Sequence, residues 1–94
     1  GDKISVGDIN FEVIACPGHT VGGISLLCDG NLFSGDTLFK ESVGRTDFGG
    51  GSFSQLEKSI KRLYTLPDDT VVLPGHGEQS TIGHEKIYNP FVRI

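Results

Sequence analysis

The sequence predicts an α/β domain that opens with an antiparallel meander, and three observations carry that fold class. Asp29-Gly30 separates two β-prone apolar runs, 24–28 and 31–33, and Asp-Gly readily fills both positive-φ positions of a type I′ hairpin turn. Leu56, Ile60, Leu63 and Tyr64 recur on one face of a 3.6-residue period, the mark of an amphipathic helix. A further apolar run at 70–73 follows that helix, so the second half of the chain mixes helix and strand.

Residues 3–6 and 11–15 read as two strands around a Gly7-Asp8 turn, and the Asp29-Gly30 hairpin adds the next two. From 40 to 51 no period is visible, and Gly49-Gly50-Gly51 disfavours helix and strand alike. This stretch reads as a long loop of the kind that often carries function. The long helix is expected over 54–65. Ser52-x-x-Gln55 and Ser54-x-x-Glu57 both satisfy a capping box, which leaves its start open by two residues, and Pro67-Asp68-Asp69 closes it. After the strand at 70–73, Thr81 is placed to cap a short last helix that ends near Tyr88, where Asn89-Pro90 stops it. One long amphipathic helix covers one face of such a sheet. The other face needs a partner, either more polypeptide or a second copy of the chain.

Composition narrows the function. A chain of 94 residues holds one small domain with a thin core. Its 14 glycines, about twice the usual share of roughly 7%, gather at turns rather than in a repeat, so they serve backbone geometry. A net charge of −4 without any Lys/Arg cluster speaks against nucleic acid as a partner. No stretch nears the roughly 18 apolar residues that cross a bilayer, and no secretory signal pattern opens the chain. Cys16 and Cys28 each lie inside an apolar run and outside any Cys-x-x-Cys pair. They read as buried thiols acting as small hydrophobes in a reducing cytoplasm.

The chemistry concentrates in three glycine turns, each directly after a β-prone run. Val13-Ile14-Ala15-Cys16 leads into Pro17-Gly18-His19-Thr20, Asn31-Leu32-Phe33 into Ser34-Gly35-Asp36-Thr37, and Val71-Val72-Leu73 into Pro74-Gly75-His76-Gly77. A strand end is a rigid platform, and glycine lets the backbone turn tightly enough to aim a side chain along the strand axis. Two imidazoles and a carboxylate delivered this way suit a metal ion such as zinc. On chemistry alone, a histidine in a turn more often faces solvent or a backbone carbonyl than a metal.

The neighbours of these residues add to that reading. Cys16-Pro17-Gly18-His19-Thr20-Val21-Gly22-Gly23, Leu32-Phe33-Ser34-Gly35-Asp36-Thr37-Leu38-Phe39 and Val72-Leu73-Pro74-Gly75-His76-Gly77 resemble three successive motifs of the metallo-β-lactamase superfamily. Their order and spacing look like its glyoxalase II-like (hydroxyacylglutathione hydrolase-like) branch. Ser42-Val43-Gly44-Arg45-Thr46-Asp47 and Thr81-Ile82-Gly83-His84-Glu85-Lys86-Ile87-Tyr88-Asn89-Pro90 extend the likeness over almost the whole chain. The resemblance implies an α/β fold of the αβ/βα sandwich type, with residues 1–94 as the carboxy-terminal half of the domain. It implies that His19 completes the three-histidine site of a first metal, that Asp36 bridges both metals and acts in catalysis, and that His76 serves the second. Zinc is the implied cofactor, two ions per intact domain, with iron or manganese as alternatives.

The family's leading His-x-His-x-Asp-His motif, which supplies most of the other ligands, does not occur in this chain. The isolated chain is therefore expected to be inactive and to need a missing amino-terminal half or a second copy of itself. His84 receives no ligand role from the resemblance. The implied reaction is hydrolysis of a thioester or related small acyl substrate by metal-activated water. Arg45 falls where glyoxalase II enzymes carry a basic residue that contacts the glutathione carboxylate, while its own surroundings leave open a pairing with Asp47 or Glu41. Glu78 stands where those enzymes carry a tyrosine. Two other readings remain: a mononuclear iron dioxygenase of the persulfide type, whose Gly-Arg-Thr-Asp-Phe string is similar to residues 44–48, and a non-catalytic half-domain that pairs with itself.

Overall fold

A computed structural model describes residues 3–20, 22–47 and 51–93. Val21 of the first glycine turn, Phe48 of the Gly-Arg-Thr-Asp-Phe string and the Gly49-Gly50 pair lie outside the described residues. In chain order the elements are β1 (Lys3–Val6), β2 (Ile9–Ala15), β3 (Ile24–Cys28), β4 (Asn31–Gly35), β5 (Leu38–Phe39), β6 (Ser42–Val43), α1 (Phe53–Leu63), β7 (Val71–Pro74), β8 (Ser80–Thr81) and α2 (Ile82–Tyr88). Six strands form one mixed sheet in the order β1-β2-β3-β4-β7-β8, and β5 and β6 form a small hairpin of their own. Strands β1 to β4 make the predicted antiparallel meander. β7 then pairs with β4 in parallel, after a crossover that contains α1.

Local chemistry explains most of these boundaries. Asp29 and Gly30 adopt φ of 49° and 77°, the two left-handed positions that the hairpin requires. The choice between the two capping boxes falls to Ser52, whose hydroxyl accepts the Gln55 amide at 3.3 Å. Tertiary structure decides it, because the Ser52 amide itself donates to the Gly18 carbonyl at 2.7 Å. Thr81 caps α2 by accepting the His84 amide at 3.1 Å, and the helix stops at Asn89 as its Asn-Pro sequence predicts.

The expected loop over 40–51 needs correcting. Ser42–Val43 pairs with Leu38–Phe39, and Glu41 makes the turn with φ of 57°. Strands of two residues carry no period for a sequence reading to detect, and the same is true of β8.

Because side chains alternate across a strand, the register divides the sheet into two faces. Leu27, Leu32 and Val72 align across β3, β4 and β7, on the same face as Ile14. This face lies under α1, and Leu32 and Val72 are fully buried with Leu56, Ile60 and Leu63 of the helix. The opposite face carries Ile4 with Phe11, Val6 with Ile9, Val13 with Leu26, Ile24, Phe33 and Leu73. Nothing among the described residues covers it: Val6 is 61% exposed, Ile9 51% and Phe33 41%. Only the Phe11 and Phe33 rings find each other there, edge to face at 6.0 Å.

Cys16 is buried beneath α1, and burial holds its thiol pKa above the usual value. Cys28 is only partly buried, so the expectation of two buried thiols holds for Cys16 alone, and both are free. No helix is long and apolar enough to cross a membrane among the described residues.

Candidate metal centre

Topology brings the three glycine turns to one edge of the sheet. β2 and β4 run the same way because each is antiparallel to β3, and β7 is parallel to β4. The carboxyl ends of β2, β4 and β7 therefore all point to one rim, and each leads directly into one of the turns. Strand ends in open α/β sheets commonly present functional groups in this way.

Asp36 and His76 are neighbours because their strands are. The β4–β7 register shifts between Phe33 and Gly35, and beyond it the Gly75 amide donates to the Gly35 carbonyl at 2.9 Å. That irregularity re-aims the strand end, and Gly35, at φ of 55°, turns the chain so that Asp36 faces the His76 turn.

His19 has farther to come, since β3 separates β2 from β4. The loop that carries it is closed by a hydrogen bond from the Cys16 amide to the Gly23 carbonyl, 2.8 Å. Helix α1 fixes it from below: Ser59 donates its hydroxyl to the Pro17 carbonyl at 2.7 Å and Arg62 reaches the Ala15 carbonyl at 2.6 Å. Gly18 lies so close to Leu56 that any Cβ would strike the helix backbone.

The resulting geometry is specific. Asp36 sits between the two imidazoles and turns one oxygen to each: Oδ2 is 4.0 Å from His19 Nε2, and Oδ1 is 3.8 Å from His76 Nε2. The Nδ1 of His19 is 2.6 Å from the Arg45 carbonyl. A carbonyl only accepts, so the Nδ1 carries a proton, and Nε2 is the ring nitrogen that faces Asp36. The His76 ring stacks on Phe39, with centroids 4.8 Å apart and planes 26° apart. All three side chains open into a cleft of about 780 Å³, whose other wall is the β5–β6 hairpin with Lys40, Glu41 and Arg45.

Donor chemistry fits a metal, since two imidazole rings flank a carboxylate that can offer one oxygen to each of two cations. The fit is partial. No group of three or more His, Cys, Asp or Glu among the described residues closes on a single point as a cation cage.

Of the other residues singled out in the sequence, Arg45 forms a two-pronged ion pair with Asp47, at 3.0 and 2.7 Å. That hydrogen bond holds the Asp47 carboxyl below the usual carboxylate range. The Arg45 side chain borders the cleft, and its backbone carbonyl orients His19. His84 lies on α2, where its Nε2 is 3.0 Å from a Glu41 carboxylate oxygen. Glu78 accepts from Lys40 at 3.0 Å across the cleft mouth, and that contact raises the Lys40 pKa.

Sequence reasoning overlooked Gly44. A Cβ there would collide with the Asp36 carbonyl and press to 3.2 Å from the His19 Cβ, so only glycine lets the two turns pack together. Its place inside the Ser42-to-Asp47 string was the available signal.

Comparison with known proteins agrees with this architecture. Residues 1–76 match the family model described as the metallo-beta-lactamase superfamily. A hydroxyacylglutathione hydrolase, GloC, of Haemophilus influenzae is 41% identical over 95 residues, which are 98% of this chain and 45% of the relative. The crystal structure of ETHE1 from Myxococcus xanthus superposes with a TM-score of 0.92 at 46% identity, over 96% of this chain and 42% of that one. TTHA1623, solved in a di-iron-bound form, superposes with a TM-score of 0.85 at 44% identity, over 87% of this chain and 42% of that one. The chain thus spans less than half the length of the relatives it matches. Its sheet, its strand-end turns and these matches agree: the chain belongs to the metallo-β-lactamase superfamily.

Proposed function

We propose that residues 1–94 are the carboxy-terminal half of a dinuclear metal-dependent hydrolase, and that His19, Asp36 and His76 form one wall of its active site. One observation carries this reading: Asp36 presents a separate carboxylate oxygen to each of two histidines, the arrangement a bridging ligand needs. His19 would bind through Nε2, held in that tautomer by the Arg45 carbonyl, and His76 through its own Nε2. Ions bound there would supply Lewis-acid activation of water and of the substrate carbonyl. Zinc suits the imidazole and carboxylate donors, and iron and manganese are the alternatives.

Two features support the missing half. The chain covers 42% of both the ETHE1 and the TTHA1623 structures, and one sheet face is apolar and uncovered among the described residues. That face takes the rest of the polypeptide as its cover. Self-association of the isolated chain would use the same surface. The isolated chain, with one wall of ligands, is inactive on this reading.

For the substrate we propose a thioester or related small acyl compound, as the name of the Haemophilus relative suggests. Arg45 would meet a substrate carboxylate by exchanging Asp47 for it, since a guanidinium binds either in the same two-pronged way. Free thiols at Cys16 and Cys28 support a reducing cytoplasm as the location.

A second reading is a mononuclear iron dioxygenase of the persulfide type, and the likeness to TTHA1623, solved in a di-iron-bound form, supports iron as the metal. Metal analysis of the full-length protein, combined with thioester hydrolysis and oxygen-uptake assays, separates the two. Zinc with thiol release and no oxygen uptake is the expected result. Iron with oxygen consumed on a persulfide would replace the hydrolase reading.

A further inference from the structure

Glu85 is fully buried on α2, and its carboxylate is the centre of a buried polar network. Its Oε1 accepts the Glu41 amide at 2.8 Å and the Asn89 side-chain amide at 2.9 Å, and its Oε2 accepts the Ser80 hydroxyl at 2.5 Å. Burying a carboxylate is costly unless hydrogen bonds replace its water, and three donors do so here. Two of them come from the immediate neighbourhood of α2. The third, the Glu41 amide, is 44 residues away in sequence and belongs to the β5–β6 turn at the cleft.

That turn is held from α2 at both ends of one residue. Glu41 gives its amide to Glu85, and its carboxylate meets the His84 ring at 3.0 Å. Asn89, itself buried, adds a third tie by donating to the Ser42 carbonyl at 3.1 Å. Glu41 sits at φ of 57°, a conformation that non-glycine residues adopt only when their surroundings impose it. Just before this turn lies Phe39, whose ring stacks on His76. A continuous physical path therefore runs from the buried carboxylate through the turn to the imidazole.

We infer that Glu85 is a positioning residue, which fixes the β5–β6 turn through the Glu41 amide and so sets the His76 ring against Phe39. The consequence for binding rests on His76 being a metal ligand, but the geometric claim does not. Outer-shell partners of ligating histidines typically matter by about 10-fold or more in metal affinity. Glu85 would exert such an effect without touching the ligand.

The test compares Glu85→Ala, Glu85→Gln and Val92→Ala in the full-length protein. Glutamine keeps an acceptor for the Glu41 amide and can donate to Ser80. Val92→Ala removes buried apolar volume without touching the turn, and so controls for general destabilisation. In metal-free protein, the His76 ring protons report stacking through the ring current of Phe39. Glu85→Ala is expected to move those resonances towards an unstacked position, with Glu85→Gln and Val92→Ala close to wild type. In a chelator competition, Glu85→Ala is expected to weaken binding of one ion about 10-fold, with Glu85→Gln restoring most of it.

Unmoved His76 resonances in Glu85→Ala, or equal shifts in Val92→Ala, would overturn the inference and leave the metal reading intact. Wild-type protein that binds no metal would overturn the metal reading, while the resonances would still judge the role of Glu85.

Discussion

The two faces of the six-stranded sheet are made from alternate residues of the same strands, yet they end in opposite environments. Leu32 and Val72 are fully buried under α1, whereas Phe33, next to Leu32 in the chain, is 41% exposed, and Val6 and Ile9 more than half. Antiparallel strands with one solvated face normally alternate apolar and polar residues. Here Ile4, Ile9, Phe11, Val13, Leu26 and Phe33 make the uncovered face as apolar as the covered one. The sequence is thus written for a sheet buried on both sides. On the proposed reading, the rim that carries His19, Asp36 and His76 follows the same logic, as one wall of ligands whose complement would also cover the open face.

Core substitutions test this contrast with the largest expected effects. In the full-length protein, Leu32→Ala should cost about 3 kcal/mol in chemical denaturation, through lost burial and a residual cavity. Phe33→Ala, exposed here, should cost about as much once the other half covers it. A loss below roughly 0.5 kcal/mol at Phe33, the usual range for surface positions, would mean that this face stays open and would break the comparison.

A smaller effect sharpens the covered side. Ser52→Ala removes the hydroxyl that caps α1 and should cost about 1 kcal/mol. The loss should appear as faster amide exchange at the start of α1, next to the Gly18 carbonyl that the Ser52 amide meets. Unchanged exchange there would show that tertiary contacts, and not the cap, hold the helix start.

Much of this architecture is legible in the residues alone. Asp29-Gly30 forced its hairpin because few other pairs accept two positive φ values, and Leu56, Ile60 and Leu63 announced both the helix and its buried face. The three strand-end turns marked His19, Asp36 and His76, because glycine beside a metal-competent side chain is a local signal. What stayed hidden depends on distant contacts. β5, β6 and β8 are too short to show a period, and the left-handed turn at Glu41 is held by Glu85 and His84 from α2, more than 40 positions along the chain. Ser52 prevailed over Ser54 through a carbonyl 34 positions upstream, Gly18. Gly44 matters only because the Asp36 and His19 turns fold onto it.

The central claim is that Asp36 joins two cation sites, of which this chain supplies one wall. Counting bound ions per full-length chain, after equilibration with zinc and desalting, tests it most directly. Two ions in the wild type and at most one in Asp36→Ala are predicted. Equal metal content in the two proteins would contradict the account.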